Sequence, residues 1–240
     1  MEFIEGLILK KLDYKENSKI IYIYTDQGLK SVLVHGSKNI KSPFLNLVRV
    51  MNHVGLHVTG KDLKTLKDGD VINDYRALKN DLEKFTYGLH ILELVYHFAT
   101  HDHDHQKLYQ FLLKIFDIAD IETNYIPYFN MVELKLLHLL GVNPLFKHCV
   151  SCERTDQLQF SIAEGGMCCP DHFVKSERQV SEAAIRAMMT LYYFDLQNPE
   201  PLKIEEATYR ELRLVIDRFY EYHLSFSSYS RKMLTGLIGY

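Results

Sequence analysis

Apolar and polar positions alternate through the first 72 residues, then switch to recurring every three or four. The first pattern is that of half-buried strands and the second that of amphipathic helices. Phe3, Ile4, Leu7 and Leu9 open the series. Ile20 to Tyr24 form a second run rich in β-branched and aromatic residues, and Leu29 to Val34 a third across the short Asp26-Gln27-Gly28 connection. Phe44 to Met51 and Val54 to Val58 predict a fourth and a fifth strand, with Lys64 to Ile72 as an extra one. Gly36, Ser37, Asn39, Ser42 and Pro43 mark a longer loop between the third and fourth. So many short strands in about 75 residues predict a small closed or half-closed barrel, whose type periodicity alone does not name; an SH3-like barrel has the same pattern.

After Asp74, Leu78, Leu82, Phe85, Leu89, Leu92 and Tyr96 trace one helical stripe. Leu108, Phe111, Leu112, Ile115 and Phe116 trace a second. A third helix is expected from about Ile126 to Leu140, stopped by Gly141 with Pro144 beyond. Ser181 is placed to cap a helix through Phe194, and a last one runs from about Glu205 to Leu224. Its stripe of Leu212, Val215, Ile216 and Phe219 reads as bundle core rather than a partner-binding face. Arg231-Lys232 follows a Ser-rich stretch and suits either an acidic partner or solvation of the last turn. Strands followed by helices predict an α+β chain, not a parallel α/β sheet.

Composition narrows the classes. With 240 residues, 47% apolar and 25% charged, the chain is ordinary globular material, and wholesale disorder is excluded. No window reaches 18 uninterrupted apolar residues, so no membrane-spanning helix is expected. The segment MEFIEGLILKK has acids first and lysines last, the reverse of a signal peptide, so secretion is not expected. Four cysteines are too few for a disulfide framework in a chain this long, and a reducing, cytoplasmic compartment is expected. The net charge of −3 divides unevenly: residues 1–80 carry 13 Lys/Arg against 9 Asp/Glu, a balance of +4, leaving −7 for the rest.

The sharpest local signal is HCVSCERTDQLQFSIAEGGMCCPDH. Cys149 and Cys152 form a C-x2-C pair, Cys169 and His172 a C-x2-H pair, and 16 residues separate the inner members, as in a zinc ribbon. Two residues between ligands let one tight turn present both to an ion, and two such knuckles supply a tetrahedron. Thiolate and imidazole suit Zn²⁺ rather than Mg²⁺ or Ca²⁺. With every corner supplied by protein the site would be structural, with Gly165-Gly166 as the turn between its halves. Cys168 and His148 adjoin the chosen ligands; Cys169 is preferred because it keeps the two-residue spacing to His172. Free buried thiols are the competing reading.

Other signals are weaker. His101, His103 and His105 alternate with Asp102 and Asp104 as in a metal tract, but a solvated loop between helices is the favoured explanation. Lys10, Lys11, Lys15 and Lys19 frame the first strand connection; Lys38, Lys41 and Arg49 lie in or after the next long loop, interleaved with Tyr14, Tyr22, Tyr24 and Phe44. Cations for phosphates beside rings for bases are what a single-strand-binding barrel requires, whereas strand-edge solvation and core packing are the bland alternative. Neither G-x-S-x-G, nor G-x-x-x-x-G-K, nor H-E-x-x-H occurs, so no enzyme activity and no nucleotide cofactor is expected.

Taken together, the segments EGLILKK, Tyr14 to Asn17, Thr25 and His35-Gly36-Ser37 resemble the opening of the bacterial recombination mediator family RecO. Leu92 to Val95, Lys135 to Gly141 with Pro144, the two knuckles around Phe160-Ser161 and Gly165-Gly166, Tyr222 to Leu224 and Ser230 to Lys232 continue the resemblance in order. It implies an N-terminal OB-fold at 1–75, then an all-α domain at 76–240 with a zinc-ribbon-like module at about 146–175. It further implies a nucleoid-associated protein that binds single- and double-stranded DNA and anneals complementary strands. With RecR it would help load recombinase RecA onto DNA coated by single-strand-binding protein. Two departures stand out: the family's fourth zinc ligand is usually Cys where this chain has His172, and its K-G-[AS] segment is here His35-Gly36-Ser37, followed by only Lys38 and Lys41. The competing functional classes are a zinc-stabilised scaffold whose barrel binds protein, and a metalloenzyme built on His101, His103 and His105.

Overall fold

The computed structural model describes residues 1–61, 63–99, 104–175, 177–196, 202 and 204–238. Strands β1 (Glu2–Tyr14), β2 (Ser18–Thr25), β3 (Gly28–Val34), β4 (His53–Thr59) and β5 (Lys64–Asn73) close into a barrel of order β1-β2-β3-β5-β4. β1 pairs antiparallel with both β2 and β4, and the closing pair β3–β5 is parallel, joining Val32 to Lys64 and Leu33 to Thr65. This is the connectivity of an OB-fold. The β2–β3 turn needs Gly28 at φ +90°, where L side chains are strained, and the Thr25 hydroxyl accepts the Gln27 N–H at 3.1 Å while donating to the Gly28 carbonyl at 2.9 Å.

β1 departs from simple alternation. A register shift between Ile8 and Lys10 buries Leu7, Ile8 and Leu9 in succession. The barrel core comprises Ile8, Ile21, Ile23, Val32, Val34, Val54, Leu56, Val58 and Leu66, to which Leu47 and Val48 add from outside the strands. Here the structure corrects the sequence expectation: Phe44 to Met51 is a series of turns, and the fourth and fifth strands are β4 and β5. The physical reason is visible in the spacing. Adjacent Leu47 and Val48 are both buried, with Met51 three positions on, a helical rather than alternating arrangement, and Val48 N–H reaches Phe44 C=O at 3.1 Å. The segment plugs the barrel. It is held to β1 by Met51 N–H to Ile8 C=O (2.8 Å) and Ile8 N–H to Asn52 C=O (2.9 Å).

The chain forms two compact units, residues 1–125 with 228–240, and residues 126–227. The first contains the barrel, α1 (Arg76–Asn80), α2 (Leu82–Phe98), α3 (His105–Ile121) and α7 (Tyr229–Ile238). The stripe expected to run unbroken from Leu78 is interrupted, because the Asp81 side chain accepts from Lys84 N–H and starts α2 afresh. Helix α3 is fixed to the barrel at two points. His53 Nε2 lies 2.9 Å from Glu5 Oε1 and 3.0 Å from the Tyr109 hydroxyl, and the Tyr24 hydroxyl lies 2.9 Å from His105 Nδ1. Helix α7 was not foreseen. Ser228 joins the His90 ring at 2.6 Å and the Ser230 hydroxyl donates to Glu93 at 2.6 Å. Arg231 is buried there, so of the two roles expected for Arg231-Lys232, an acidic partner or solvation of the last turn, it has a surface for neither; Lys232 is exposed.

The second unit holds α4 (Ile126–Leu139), the hairpin β6 (Gln159–Ser161) and β7 (Gly166–Cys168), α5 (Glu182–Tyr193) and α6 (Glu206–Leu224). Gly141, at φ +73°, ends α4 as expected, with Val142 N–H bonded back to Leu137 C=O at 3.0 Å. Ser181 caps α5 through Ala184 N–H at 3.2 Å. Leu212, Val215, Ile216 and Phe219 are buried, so that stripe is core. No helix among the described residues is long and apolar enough to cross a membrane.

The barrel leaves no room at Gly69, where a Cβ would sit 2.7 Å from the Gly55 carbonyl and 2.8 Å from Leu56 Cδ2. Gly69→Ala is expected to lower stability by about 1–3 kcal/mol in urea unfolding. The exposed neighbour variant Asp70→Ala should stay within about 0.5 kcal/mol of the parent chain.

Candidate metal centre and cationic barrel surface

After α4 the chain has too few residues to bury a core of its own, and it folds as two turns stitched to a hairpin. Cys149 N–H bonds to Arg154 C=O at 2.8 Å and closes the first knuckle. His172 and Phe173 N–H both reach Cys169 C=O, at 3.0 and 2.9 Å, and close the second. Val150 N–H to Met167 C=O (2.8 Å) and Met167 N–H to Leu145 C=O (2.8 Å) draw the two together across β7. Gly166 permits this approach, since a Cβ there would stand 2.6 Å from the Leu145 carbonyl. Gly165, at φ +73°, makes the turn into β7.

The result places Cys149, Cys152, Cys169 and His172 with their ligand atoms all within 4.8 Å of one another. Cys152 Sγ is 3.8 Å from Cys169 Sγ, and His172 Nδ1 is 3.6 Å from Cys149 Sγ and 3.2 Å from Cys169 Sγ. Tetrahedral bonds of about 2.3 Å to sulfur and about 2.0–2.1 Å to nitrogen would separate two sulfurs by about 3.8 Å and sulfur from nitrogen by about 3.6 Å. The donor set therefore fits a four-coordinate metal. Electrostatics agree: burial opposes a charged Cys149, but the N–H groups of Cys169, Ser151 and Cys152 outweigh it and bring this thiol down to about 6. Cys169 is lowered too, against its burial, by Asp171 N–H and by His172. Cys152 is pushed the other way: Arg154 N–H favours its thiolate, but burial and the neighbouring Cys149 and Cys169 prevail. A group in which thiolates crowd one another gains from a shared cation.

The neighbouring alternatives sit elsewhere. Cys168, next to Cys169 on the strand, is buried away from the group, and burial raises its thiol to about 11. His148 is exposed, with Nδ1 3.0 Å from the Cys149 carbonyl. His101 and His103 lie outside the described residues. His105 begins α3 and faces the Tyr24 hydroxyl.

The barrel cations separate into groups. Lys10 and Lys11, consecutive in β1, point to opposite sides, as strand geometry requires. Lys10 Nζ lies 4.7 Å above the Tyr96 ring of α2, which itself meets Tyr22 edge-on. Lys11 has its ammonium destabilised by burial first and then by Lys19 and Arg49, so these three share one neighbourhood. At the hairpin tip Lys15 adopts φ +50°, its Nζ 5.3 Å from the Tyr14 ring. Lys38 Nζ donates to the Lys15 carbonyl at 3.0 Å. Asp13 pairs with both Lys19 (3.0 Å) and Lys38 (3.4 Å), neutralising part of this surface. Lys41 is exposed on the following loop. Tyr96 beneath Lys10 had no signal in the sequence, because the fold alone brings position 96 to position 10.

Two family models match in tandem: the Recombination protein O N terminal model over residues 1–75 and the Recombination protein O C terminal model over residues 79–232. The chain belongs to the RecO family. Membership places it in DNA repair and recombination. Proteins described as DNA repair protein RecO from Bacillus cereus (strain AH187), Bacillus anthracis and Bacillus thuringiensis subsp. konkukian (strain 97-27) are each 29% identical over 244 residues. The similarity spans 98% of this chain and 96% of each of those RecO proteins.

The metal group gives a discriminating expectation. The reduced, metal-free Cys168→Ser variant should take up one metal equivalent and keep it through gel filtration, like the parent chain. Cys169→Ser should release its metal under the same conditions, measured by elemental analysis of the protein fraction.

Proposed function

We propose that this chain is a non-enzymatic recombination mediator that binds single- and double-stranded DNA through its barrel, residues 1–75, and anneals complementary strands. Together with RecR it would help load recombinase RecA onto DNA covered by single-strand-binding protein, as a nucleoid-associated cytoplasmic factor. The observation that carries the DNA-binding part is the placement of Lys11 and Lys19 on one face of the β1–β2 ladder, with Arg49 within electrostatic reach of Lys11; Lys15, Lys38 and Lys41 lie on the adjoining loops, and Lys10 on the opposite face of β1. RecO membership supports the mediator part.

The physics needs no nucleotide hydrolysis. Lys11, Lys19 and Arg49 neutralise phosphates and release condensed counterions, which lowers the repulsion between two strands. Base pairing then supplies the free energy of annealing. Asp13 tempers the cluster, so Lys19 and Lys38 must exchange a carboxylate for a phosphate on binding. That exchange favours moderate affinity and easy release.

In the helical domain, residues 76–240, the module at about 146–175 is assigned a structural zinc held by Cys149, Cys152, Cys169 and His172. When bound, zinc would supply a crosslink in place of a hydrophobic core. The imidazole of His172 occupies the place where relatives usually carry a thiolate, leaving a site of one less negative charge.

Two measurements test this reading. Annealing of complementary oligonucleotides without ATP should fall steeply with salt. Because each lost contact flattens the single-strand log–log slope by about 0.7, Lys11→Gln with Lys19→Gln should flatten it by about 1.4, and Lys38→Ala with Lys41→Ala should also flatten it. An unchanged slope in both double variants would remove this surface from the interface. Elemental analysis should find one zinc per chain, and a strong chelator should lower the thermal midpoint of the parent chain but not of Cys169→Ser.

A further inference from the structure

A cavity of about 620 Å³ opens where the plug turn, the end of β5 and α1 meet, within the first compact unit. Its volume suits a small ligand, for which pockets of about 300–1,000 Å³ are usual. Its lining is unlike the rest of the barrel surface. Arg49 comes from the plug, and Arg76 and Lys79 from α1. Among the described residues neither arginine has a carboxylate within ion-pair distance, and both are exposed. Asp74 is the acid in the lining, so the balance is positive.

The floor is built. Lys79 Nζ donates to Asn52 Oδ1, and the Asn52 amide donates to the Asn46 and Leu47 carbonyls at 2.8 and 3.3 Å. Burial brings Lys79 down to about 8; Arg49 and Lys11 push the same way, while Asp74 and Asp120 push back. The walls are free to act. The Asn46 and Asn80 side chains are exposed and make no side-chain hydrogen bond among the described residues. Opposite in character, Val71 and Ile72 line the cavity at 38% and 52% exposure, apolar surface left open to water.

Free guanidinium groups, free amides and an open apolar wall in one cavity match the phosphate, the base edge and the base face of a nucleotide. We propose that this cavity holds one nucleotide of a bound single strand. Its phosphate would rest on Arg49 and Arg76, its base against Val71 and Ile72, with the Asn46 and Asn80 amides at the base edge. This deepens the DNA-binding reading and rests on it for the source of the nucleotide. Arg49 links the two regions, since it lines the cavity with Lys79 and lies within electrostatic reach of Lys11. A strand drawn to Lys11 and Lys19 would therefore pass the mouth of the cavity. Charge-assisted bonds position the backbone and the amides confer a base preference, which a surface of lysines alone lacks.

The test uses the full chain, isotopically labelled and titrated with thymidine 5′-monophosphate, thymidine and inorganic phosphate, with the side-chain amide resonances of Asn46 and Asn80 as the readout. The monophosphate should shift both resonances saturably and bind at least about tenfold tighter than thymidine or phosphate alone. Arg76→Gln should weaken it about tenfold and Asn80→Ala measurably, while Lys107→Gln, at an exposed lysine of α3, leaves it unchanged. Because Arg76 and Asn80 are exposed, both variants keep the fold, which the amide spectrum verifies. Unshifted Asn46 and Asn80 resonances, phosphate binding as tightly as the monophosphate, or an inert Arg76→Gln each overturn the proposal. A parallel titration with an oligothymidylate separates the two readings. Salt-steep oligonucleotide binding with an unresponsive cavity sinks the subsite alone. A cavity that takes the monophosphate in a chain that ignores the oligonucleotide sinks the DNA-binding reading and upholds the site.

Discussion

A barrel of five strands has an interior that side chains must fill, and here the strands do not fill it by themselves. The turn at 44–52 supplies Phe44, Leu47 and Val48 to that interior. It can do so only because Asn52, itself buried, satisfies carbonyls of the same turn and receives Lys79 on its oxygen. A polar group so placed is costly to leave unpaired, so these bonds fix one conformation of the plug. Everything at that end of the barrel follows. Arg49 is turned outward because its neighbours are turned inward, and it stands beside Lys11 and Lys19 for that reason. Packing thus sets the charge arrangement from which the DNA reading is built.

The same dependence explains what could and could not be seen in the sequence. β2 and β3 were plain, because a run of β-branched and aromatic residues at Ile20 to Tyr24 and the apolar Leu29 to Val34 segment across a short turn survive without context, and Ile21, Ile23, Val32 and Val34 face the core. The plug reads as a strand in the sequence, since apolar density alone does not distinguish a helical pair from an alternating one. Helix α7 was hidden by serines that act as partners for His90 and Glu93 rather than as loop formers. The four metal-group residues were legible from spacing alone, and the group the structure gathers contains Cys169 and not Cys168. The cations were legible as a set but not as a surface. The irregularity at Leu9 and the alternation after it send Lys10 to Tyr96 and Lys11 to Arg49, a division that only the paired strands reveal.

The two halves solve the shortage of apolar material differently. The barrel borrows a loop for its core. The cysteine-containing segment instead organises its backbone through turns, with Glu177 reaching back to Ser161 at 2.6 Å and Ile162 N–H at 2.5 Å. Phe146 and Phe160 stack at 5.9 Å beneath it, so the segment rests on an aromatic base and leaves only its tip to the ligand cluster. A metal there would tighten a structure whose backbone is already directed.

The return of the chain at Ser228 makes the first unit discontinuous, with the whole of 126–227 inserted between α3 and α7. On a ribosome, the barrel and its first helices would emerge long before the segment that seals α2. The hydroxyl partners of His90 and Glu93 arrive only after the inserted residues. The nascent chain must therefore hold an unfinished amino-terminal body while the inserted body matures. The first body closes only once the inserted one has been laid down.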